Sequence, residues 1–299
     1  MERINDKTIS LGDRIKMYER QYTSFMINPA LPFIVRVDGR AFHTYTHKME
    51  KPFDARFTTA MCKTAMKLTE SFSPTITYVQ SDEITLLFKP TMEPPFGGKL
   101  SKLNSNIASA ATYWFGQSIE SSVPTVGIPL FDCRTFNLPD EWEAVNALRF
   151  RYRDAVRNSV SSAARYKFGH STCTGKNTQE KLQMIGSDWD SYPRTARYGE
   201  FFRRALVMRP VEVDRSTLKP EVAARVPEFC MRHAIIPYTV NAVHDGIATD
   251  EYLTSPEYGI ECITNMPDVL FRNEAPKYDK QRSDDTDDEF AGFFKVHEK

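Results

Sequence analysis

The feature that most constrains the fold is an alternation of short β-branched runs with amphipathic segments across the first half of the 299-residue chain. Continuous apolar runs of five or six residues indicate buried strands, and apolar residues at steps of three and four indicate helices. In chain order the pattern predicts a strand at 33–37, a helix at 57–72 with Asp54 as its N-cap, strands at 75–80 and 84–89, a helix with the apolar stripe Leu103, Ile107, Ala110 and Trp114, and a strand at 127–136.

This order, β-α-β-β-α-β, predicts an α+β fold with a ferredoxin-like sheet, which is also the core of polymerase-type palm domains. After Pro139 the pattern is helical to about residue 168, as one long or broken helix, and a loop and a further helix near Asn177 follow. The predicted domains are a palm-like catalytic domain at 1–138, an added helical region at 139–199 and a C-terminal extension at 200–299, with strands at 207–213 and 235–243 and an acidic segment at 283–289.

Composition argues against several classes of protein. We find no apolar run near the roughly 18 residues that span a bilayer, and no signal-like apolar segment at the start. The five cysteines are scattered and never spaced as C-x-x-C, which argues against a disulfide framework and a zinc site. These features favour a cytoplasmic protein without a membrane partner.

Charge is balanced over the whole chain but not locally. The formal net charge is zero, whereas residues 139–210 hold thirteen Lys and Arg against eight Asp and Glu. Arg149, Arg153, Arg157 and Arg165 recur at steps of four or eight, which predicts one basic helical face. Such a face can follow an RNA backbone, although alone it is more often an ordinary solvated surface.

Carboxylates stand at two predicted turns. Asp38 ends the first strand, and Asp82 and Glu83 join the second strand to the third. In a ferredoxin-like sheet these turns meet at one edge, and clustered carboxylates repel each other unless a cation lies between them. Mg²⁺ suits such oxygen ligands, and a pair of ions about 3.5–4 Å apart can support phosphoryl displacement. Either turn alone is a common loop sequence, but the combination favours a metal site.

The residues after Asp38 suit a phosphate. Gly39 lets the backbone approach closely, and the N–H groups of residues 40–43 follow in a turn. Arg40 and His43 add side-chain donors, and Lys51 is a candidate contact to a triphosphate.

These residues resemble the tRNA-His guanylyltransferase superfamily of 3′–5′ nucleotide-adding enzymes. The closer match is its Thg1-like branch, the 3′–5′ RNA polymerases that repair tRNA 5′ ends. The resemblance covers about residues 11–199 and rests on seven blocks in the expected order, at 11–19, 36–43, 51–54, 78–83, 131–139, 153–159 and 175–177.

The resemblance implies roles for individual residues. Asp38 and Asp82 are similar to the ligands of two Mg²⁺ ions, with the Gly39 carbonyl as a further ligand and Glu83 as the acidic residue beside them. The nucleotide triphosphate site would comprise Asp38, Gly39, Arg40, Ala41, Phe42, His43, Ser81 and Asp82. The residues that engage nucleotide and RNA from the helical side would be Arg153, Asp154, Asn158, Lys176 and Asn177, joined by Arg149 and Arg157 of the basic face.

The implied reaction has two stages, with GTP and ATP as substrates. The RNA 5′-phosphate is activated with ATP or is already a triphosphate, and the 3′-OH of an incoming nucleotide then attacks it and releases AMP or pyrophosphate. The implied partners are tRNA or tRNA-like RNA, nucleoside triphosphates and three further copies of the chain in a homotetramer.

One departure from the family pattern bears on specificity. Enzymes dedicated to tRNA-His carry His-Ile-Asn-Asn where this chain has Val156, Arg157, Asn158 and Ser159. The missing histidine favours the repair branch. The alternatives are a strict GTP-dependent tRNA-His guanylyltransferase, a nucleotidyl cyclase on the same palm and a non-catalytic RNA-binding palm.

Overall fold

The computed structural model describes residues 8–210, 215–223, 225 and 229–237. The predicted acidic segment at 283–289 and most of the predicted strand at 235–243 lie outside the described residues. The described helices are α1 (Leu11–Thr23), α2 (Phe42–Tyr45), α3 (Ala55–Phe72), α4 (Leu100–Ser118), α5 (Glu141–Phe168), α6 (His170–Cys173), α7 (Thr178–Ile185), α8 (Asp188–Ser191), α9 (Arg194–Tyr198) and α10 (Pro220–Ala223). The strands are β1 (Phe33–Gly39), β2 (Ile76–Gln80), β3 (Glu83–Phe88), β4 (Phe131–Asn137), β5 (Glu200–Pro210) and β6 (Phe229–Pro237).

The described strands form one antiparallel sheet in the order β4-β1-β3-β2-β5-β6. The order β4-β1-β3-β2 is the ferredoxin-like arrangement, so the predicted α+β fold is confirmed. β5 begins well before the predicted position 207, because Phe201 and Phe202 each pack into a core on opposite faces of the sheet. Charged residues on both sides of Phe201 and Phe202 interrupt the apolar pattern, so the sequence did not predict a strand at this position.

Helices α3 and α4 cover one face of the sheet and enclose the main apolar core. α3 has the predicted N-cap, since the Asp54 carboxylate accepts a hydrogen bond from the Arg56 backbone N–H at 3.0 Å. In α4 the predicted stripe is wrong in its second half, because Ala110 and Trp114 are only partly buried. The next residues in sequence, about 100° further around the helix, take the central positions, so the buried stripe is Leu103, Ile107, Ala111 and Phe115.

Helix α5 covers the opposite face and is unbroken over 28 residues. Its first half packs Leu148 against Ile34 and Leu87 of the sheet, and its second half packs with α6 to α9 around Trp189. α5 therefore extends from the palm sheet into the helical region and can present side chains to both. Among the described residues, no helix is long and apolar enough to span a bilayer.

Candidate active site

The two carboxylate turns meet at one edge of the sheet, as the strand order predicted. Asp38 lies opposite Glu83 in the β1–β3 ladder. The Gly39 backbone N–H donates to the Asp82 carbonyl at 2.9 Å, which holds the end of β1 against the turn between β2 and β3. The position of Asp38 beside Asp82 therefore follows from the backbone register of the sheet and not from flexible loops.

Gly39 is required for this close approach. A Cβ atom at Gly39 would lie 2.6 Å from the Phe42 ring and 2.9 Å from the Asp82 Cβ, closer than real Cβ atoms come. Ser81, the first residue of the facing turn, has φ 52° and so occupies the left-handed region. Both turns are therefore tight, with no space for a larger residue between them.

The charges of the two aspartates favour a bound cation between them. Burial raises the pKa of Asp82, and the nearby Asp38 carboxylate raises it further, against hydrogen bonds from its own backbone and from Ser81 that lower it. Arg134, whose Nη2 lies 3.9 Å from the Asp38 carboxylate, offsets part of the charge. The described residues contain no cluster of three or more metal-ligating side chains. Two carboxylates plus a backbone carbonyl nevertheless fit Mg²⁺, which usually binds one or two protein carboxylates and completes its shell with phosphates and water.

Glu83 lies beside this pair, opposite Asp38, but its carboxylate is bound by arginines. Its carboxylate accepts two hydrogen bonds from Arg151 of α5, from Nε at 2.6 Å and from Nη2 at 2.5 Å. Arg36 lies 3.9 Å away on the same side. Glu83 therefore has its charge matched by arginines on the α5 face, and the structure places it beside the aspartate pair in a bidentate ion pair of its own.

The segment after Asp38 lines the site but offers fewer donors than its sequence suggested. The Arg40 N–H already donates to the Leu130 carbonyl at 2.8 Å, and Ala41 is in the left-handed region with φ 53°. The Phe42 ring packs in the core among Tyr45, Phe57, Phe115 and Phe131. The exposed His43 side chain remains as the polar contact of this segment that faces the cavity.

A cavity of about 570 Å³, here called the nucleotide cavity, opens beside the aspartates. Asp38, Ser81 and Asp82 line it together with Lys51, whose Nζ donates to the Thr46 carbonyl at 3.0 Å. Its other walls include apolar side chains, and the whole is the size of a typical small-molecule site. The apolar lining residues are Phe42, Met49, Pro52, Phe53, Phe57, Met61, Cys62, Val79 and Ala196.

A second cavity of about 580 Å³, here called the basic cleft, lies between α5 and α7. It shares Asn158 and Ser162 with the nucleotide cavity, so the two adjoin along α5. Its cationic lining residues are Arg157, Arg165, Lys176 and Lys181, and no acidic residue lines it. A polyanion that begins at the aspartate pair could therefore continue along this cleft.

Known proteins with this architecture identify the family. A solved structure described as a bacterial tRNA(His) guanylyltransferase (Thg1)-like protein in complex with ATP is 32% identical, covering 65% of this chain and 88% of its own, with a TM-score of 0.60. This chain belongs to the tRNA(His) guanylyltransferase family. Its members are tRNA guanylyltransferases, a type of nucleotidyltransferase.

Further comparisons agree with this assignment. The family described as "Thg1: tRNAHis guanylyltransferase" matches residues 12–139. A bacterial Thg1-like protein in complex with GTP is 25% identical with a TM-score of 0.62, covering 83% of this chain and all of its own. An uncharacterized protein of Acanthamoeba polyphaga mimivirus is 30% identical over 66% of this chain and 78% of its own length. The tRNA(His) guanylyltransferase of Schizosaccharomyces pombe is 28% identical over 49% of this chain, which spans only 56% of that enzyme.

The residues that resemble the family's helical-side contacts fall into three environments. Asn158 and Lys176 line the basic cleft, and Asp154 pairs with Arg157 within α5. Asn177 also lines the cleft, but its side chain accepts the Glu180 N–H at 2.9 Å and forms a capping box at the start of α7. Asn177 therefore has a structural role whether or not it contacts substrate.

The predicted arginine face does not stay on one side of α5. Arg149 is buried at 7% exposure, whereas the side chain of Arg157 is 64% exposed. Arg153 is exposed but lines neither cavity. Each four-residue step turns an α-helix by about 40° beyond a full turn, so a stripe at such steps rotates from the palm side towards solvent.

Two further residues of the site, Arg151 and Lys181, were not predicted from the sequence. Arg151 is the partner of Glu83 and lines the nucleotide cavity, and Lys181 contributes a cation to the basic cleft. Neither lies at the four-residue spacing that drew attention to the arginine face. A helical-wheel projection of α5 could have marked Arg151 as a candidate partner of Glu83. The pairing itself depends on how α5 crosses the sheet.

Proposed function

We propose that this protein adds nucleotides in the 3′–5′ direction to the 5′ end of tRNA or tRNA-like RNA, using nucleoside triphosphates and Mg²⁺. One observation carries the proposal: the paired aspartates lie at a nucleotide-sized cavity that adjoins a cleft lined by four cations. In a reaction between a triphosphate and a polynucleotide end, two polyanions must be brought together. Such a reaction requires a metal-binding cavity for one and a cationic surface for the other, side by side.

The metal ligands in this proposal are the Asp38 and Asp82 carboxylates and the Gly39 carbonyl. When bound, two Mg²⁺ ions would neutralise phosphate charge and favour ionisation of the attacking hydroxyl. The raised pKa of Asp82 supports the assignment. A bound cation would offset the desolvation cost of the charged carboxylate and its repulsion by Asp38, which together raise that pKa. Gly39 supports it as well, since any side chain there would fill the space between the two turns.

The nucleotide in this proposal occupies the nucleotide cavity. His43, Lys51 and Ser81 line it and would bind phosphate oxygens, and the apolar lining residues would hold a base. Related bacterial structures are described as complexes with ATP and with GTP, which supports both as substrates. ATP would activate the RNA 5′-phosphate, and GTP or another triphosphate would be added.

The RNA 5′ end in this proposal lies against the basic cleft. Arg157, Lys176 and Lys181 would bind backbone phosphates, and Asn158 sits where the two cavities adjoin. The incoming 3′-OH then forms a bond to the activated 5′-phosphorus, and the bond from that phosphorus to AMP or pyrophosphate breaks. The residues of this chain bind and orient both polyanions so that these atoms meet.

Substrate choice in this proposal follows the repair branch. Val156, where dedicated tRNA-His enzymes carry histidine, is 1% exposed and packs in the apolar cluster around Trp189. The chain thus has a core residue at this position and no imidazole to read a tRNA feature. We expect addition to several 5′-truncated tRNAs and not to tRNA-His alone.

The test is a nucleotide-addition assay. The protein is incubated with Mg²⁺, ATP, each labelled triphosphate in turn and a panel of 5′-truncated tRNAs, and products are sized. We expect RNAs one or more nucleotides longer at the 5′ end. Addition of G to tRNA-His alone would indicate the strict guanylyltransferase, a cyclic nucleotide would indicate a cyclase, and tRNA binding without any product would indicate a non-catalytic palm.

We further propose that the protein assembles as a homotetramer. Helix α1 supports assembly, since none of its residues is buried and Leu11, Ile15 and Tyr22 are exposed on it. Light scattering on the purified protein measures the mass directly, and a 34.3 kDa particle would contradict this proposal.

A further inference from the structure

The contact between Glu83 and Arg151 joins the proposed metal site to the long helix of the helical region. Glu83 immediately follows Asp82, and its carboxylate receives both arms of the Arg151 guanidinium at 2.6 and 2.5 Å. The two side chains are only 16% and 19% exposed. A bidentate pair with so little solvent has a well-defined geometry, unlike a surface ion pair.

The pair adds a side-chain contact to the tight turn between β2 and β3. Between β2 and β3 only Ser81 and Asp82 form the turn, and on the β3 side the chain enters the sheet at Glu83. The Gly39 N–H fixes the Asp82 carbonyl from one side. Arg151 fixes the Glu83 side chain from the other, so the backbone that carries Asp82 is held between two anchors.

Arg151 also connects this turn to the wall of the basic cleft. Its Nη2 lies 3.4 Å from an Asp154 carboxylate oxygen, and the other oxygen of Asp154 pairs with Arg157, which lines the cleft. Charged groups thus alternate from Glu83 through Arg151 and Asp154 to Arg157. Removal of Arg151 would leave Glu83, a poorly solvated carboxylate, beside the two aspartates.

We propose that Arg151 is a positioning residue that holds the Asp82 turn in metal-binding geometry by clamping Glu83 to α5. The inference rests on the proposed metal site. It adds that Glu83 is the residue through which Arg151 holds the turn, and that Glu83 is not a metal ligand. Without the clamp, the Glu83 carboxylate can swing towards the cation and compete with Asp82. Residues that orient metal ligands from behind affect metal affinity by about 10–100-fold.

The experiment measures Mn²⁺ binding by electron paramagnetic resonance in the presence of GTP. We expect Arg151→Met to weaken Mn²⁺ affinity about tenfold or more. Arg151→Lys, which keeps the charge but not the fork, should weaken it less. The control is Lys67→Met, because Lys67 makes an ion pair with Glu70 on α3 and its side chain is similarly covered, at 24% exposure. Lys67→Met should bind Mn²⁺ like the wild type.

A double-mutant cycle with Glu83→Gln separates positioning from a direct role. If Arg151 acts through Glu83, the Mn²⁺ affinity lost in Glu83→Gln/Arg151→Met falls clearly short of the sum of the single losses. Additive losses, or wild-type Mn²⁺ affinity in a folded Arg151→Met, would overturn the clamp. Should Arg151→Met not fold, Arg151→Lys carries the same cycle. A different result would contradict the proposed metal site itself, namely that the Asp82→Asn variant binds Mn²⁺ as tightly as the wild type.

Discussion

The nucleotide cavity and the basic cleft adjoin along α5 but are built in opposite ways. At the cavity, a negative pair of aspartates is fixed by strand register and by Gly39, so its geometry is part of the sheet. At the cleft, the cations Arg157, Arg165, Lys176 and Lys181 extend from α5, from α7 and from the loop before α7. Under the proposed function, the difference means that the aspartates need accurate placement for chemistry, whereas the cleft needs only positive charge to attract phosphates.

The largest effect expected from this difference is at Asp82. Asp82→Asn should lower nucleotide addition by at least about 10²-fold, because a proposed ligand of the Mg²⁺ that would neutralise the reacting phosphates is lost. Asp190→Asn, at a carboxylate that is 82% exposed on α8, should leave the rate unchanged. Single-turnover rates with saturating GTP and RNA provide the measurement. A rate for Asp82→Asn within a few-fold of wild type would mean that the aspartate pair is not the reaction centre.

A smaller and different effect is expected at the basic cleft. Lys181→Ala should raise the RNA KM about tenfold while leaving kcat and GTP binding nearly unchanged, and should reduce the salt dependence by about one phosphate contact. The control is Lys89→Ala, since Lys89 follows the opposite end of β3. KM values over a range of salt concentrations test this. A loss in kcat for Lys181→Ala equal to that of Asp82→Asn would contradict the proposal that the cleft binds RNA while the aspartates serve the reaction.

The next prediction concerns Asn177, which lies in the cleft but caps a helix. Asn177→Ala should destabilise the protein by about 1 kcal/mol, because the capping box of α7 is lost. Asn177→Asp keeps the cap and should restore stability, as measured by urea unfolding. If Asn177→Asp is stable and yet binds RNA poorly, the side chain also contacts substrate through its amide.

The smallest expected effect is a pH dependence at the acidic side. In metal-free protein the folded-state pKa of Asp82 is raised by burial and by Asp38 above its ordinary value of 3.8. A group with a raised folded-state pKa contributes stability at low pH, and this contribution is lost as pH rises through the raised value. Asp82→Asn should therefore gain stability relative to wild type as pH rises, in unfolding experiments with EDTA, and Mg²⁺ with GTP should reverse the gain. A difference that does not change with pH would contradict the raised pKa.

Much of the fold could be predicted because its signals are local. The β-branched run of β1, the Asp54 cap and the short connection between β2 and β3 each depend on neighbouring residues. The strand order then placed Asp38 beside Asp82 without knowledge of any side chain. β5 was misplaced because charged residues flank Phe201 and Phe202, and the α4 stripe was misjudged because periodicity marks a helix face only to within one residue.

The amino-acid sequence by itself determined the order of strands and helices, the two carboxylate turns and the excess of cations after Pro139. Only the tertiary structure decided how α5 crosses the sheet. That crossing buries Arg149, exposes Arg157 and brings Arg151 onto Glu83 across 68 positions of the chain. The physical reason is that a helix rotates every side chain through a fixed angle per residue, while the packing of its apolar face sets which angle meets the site.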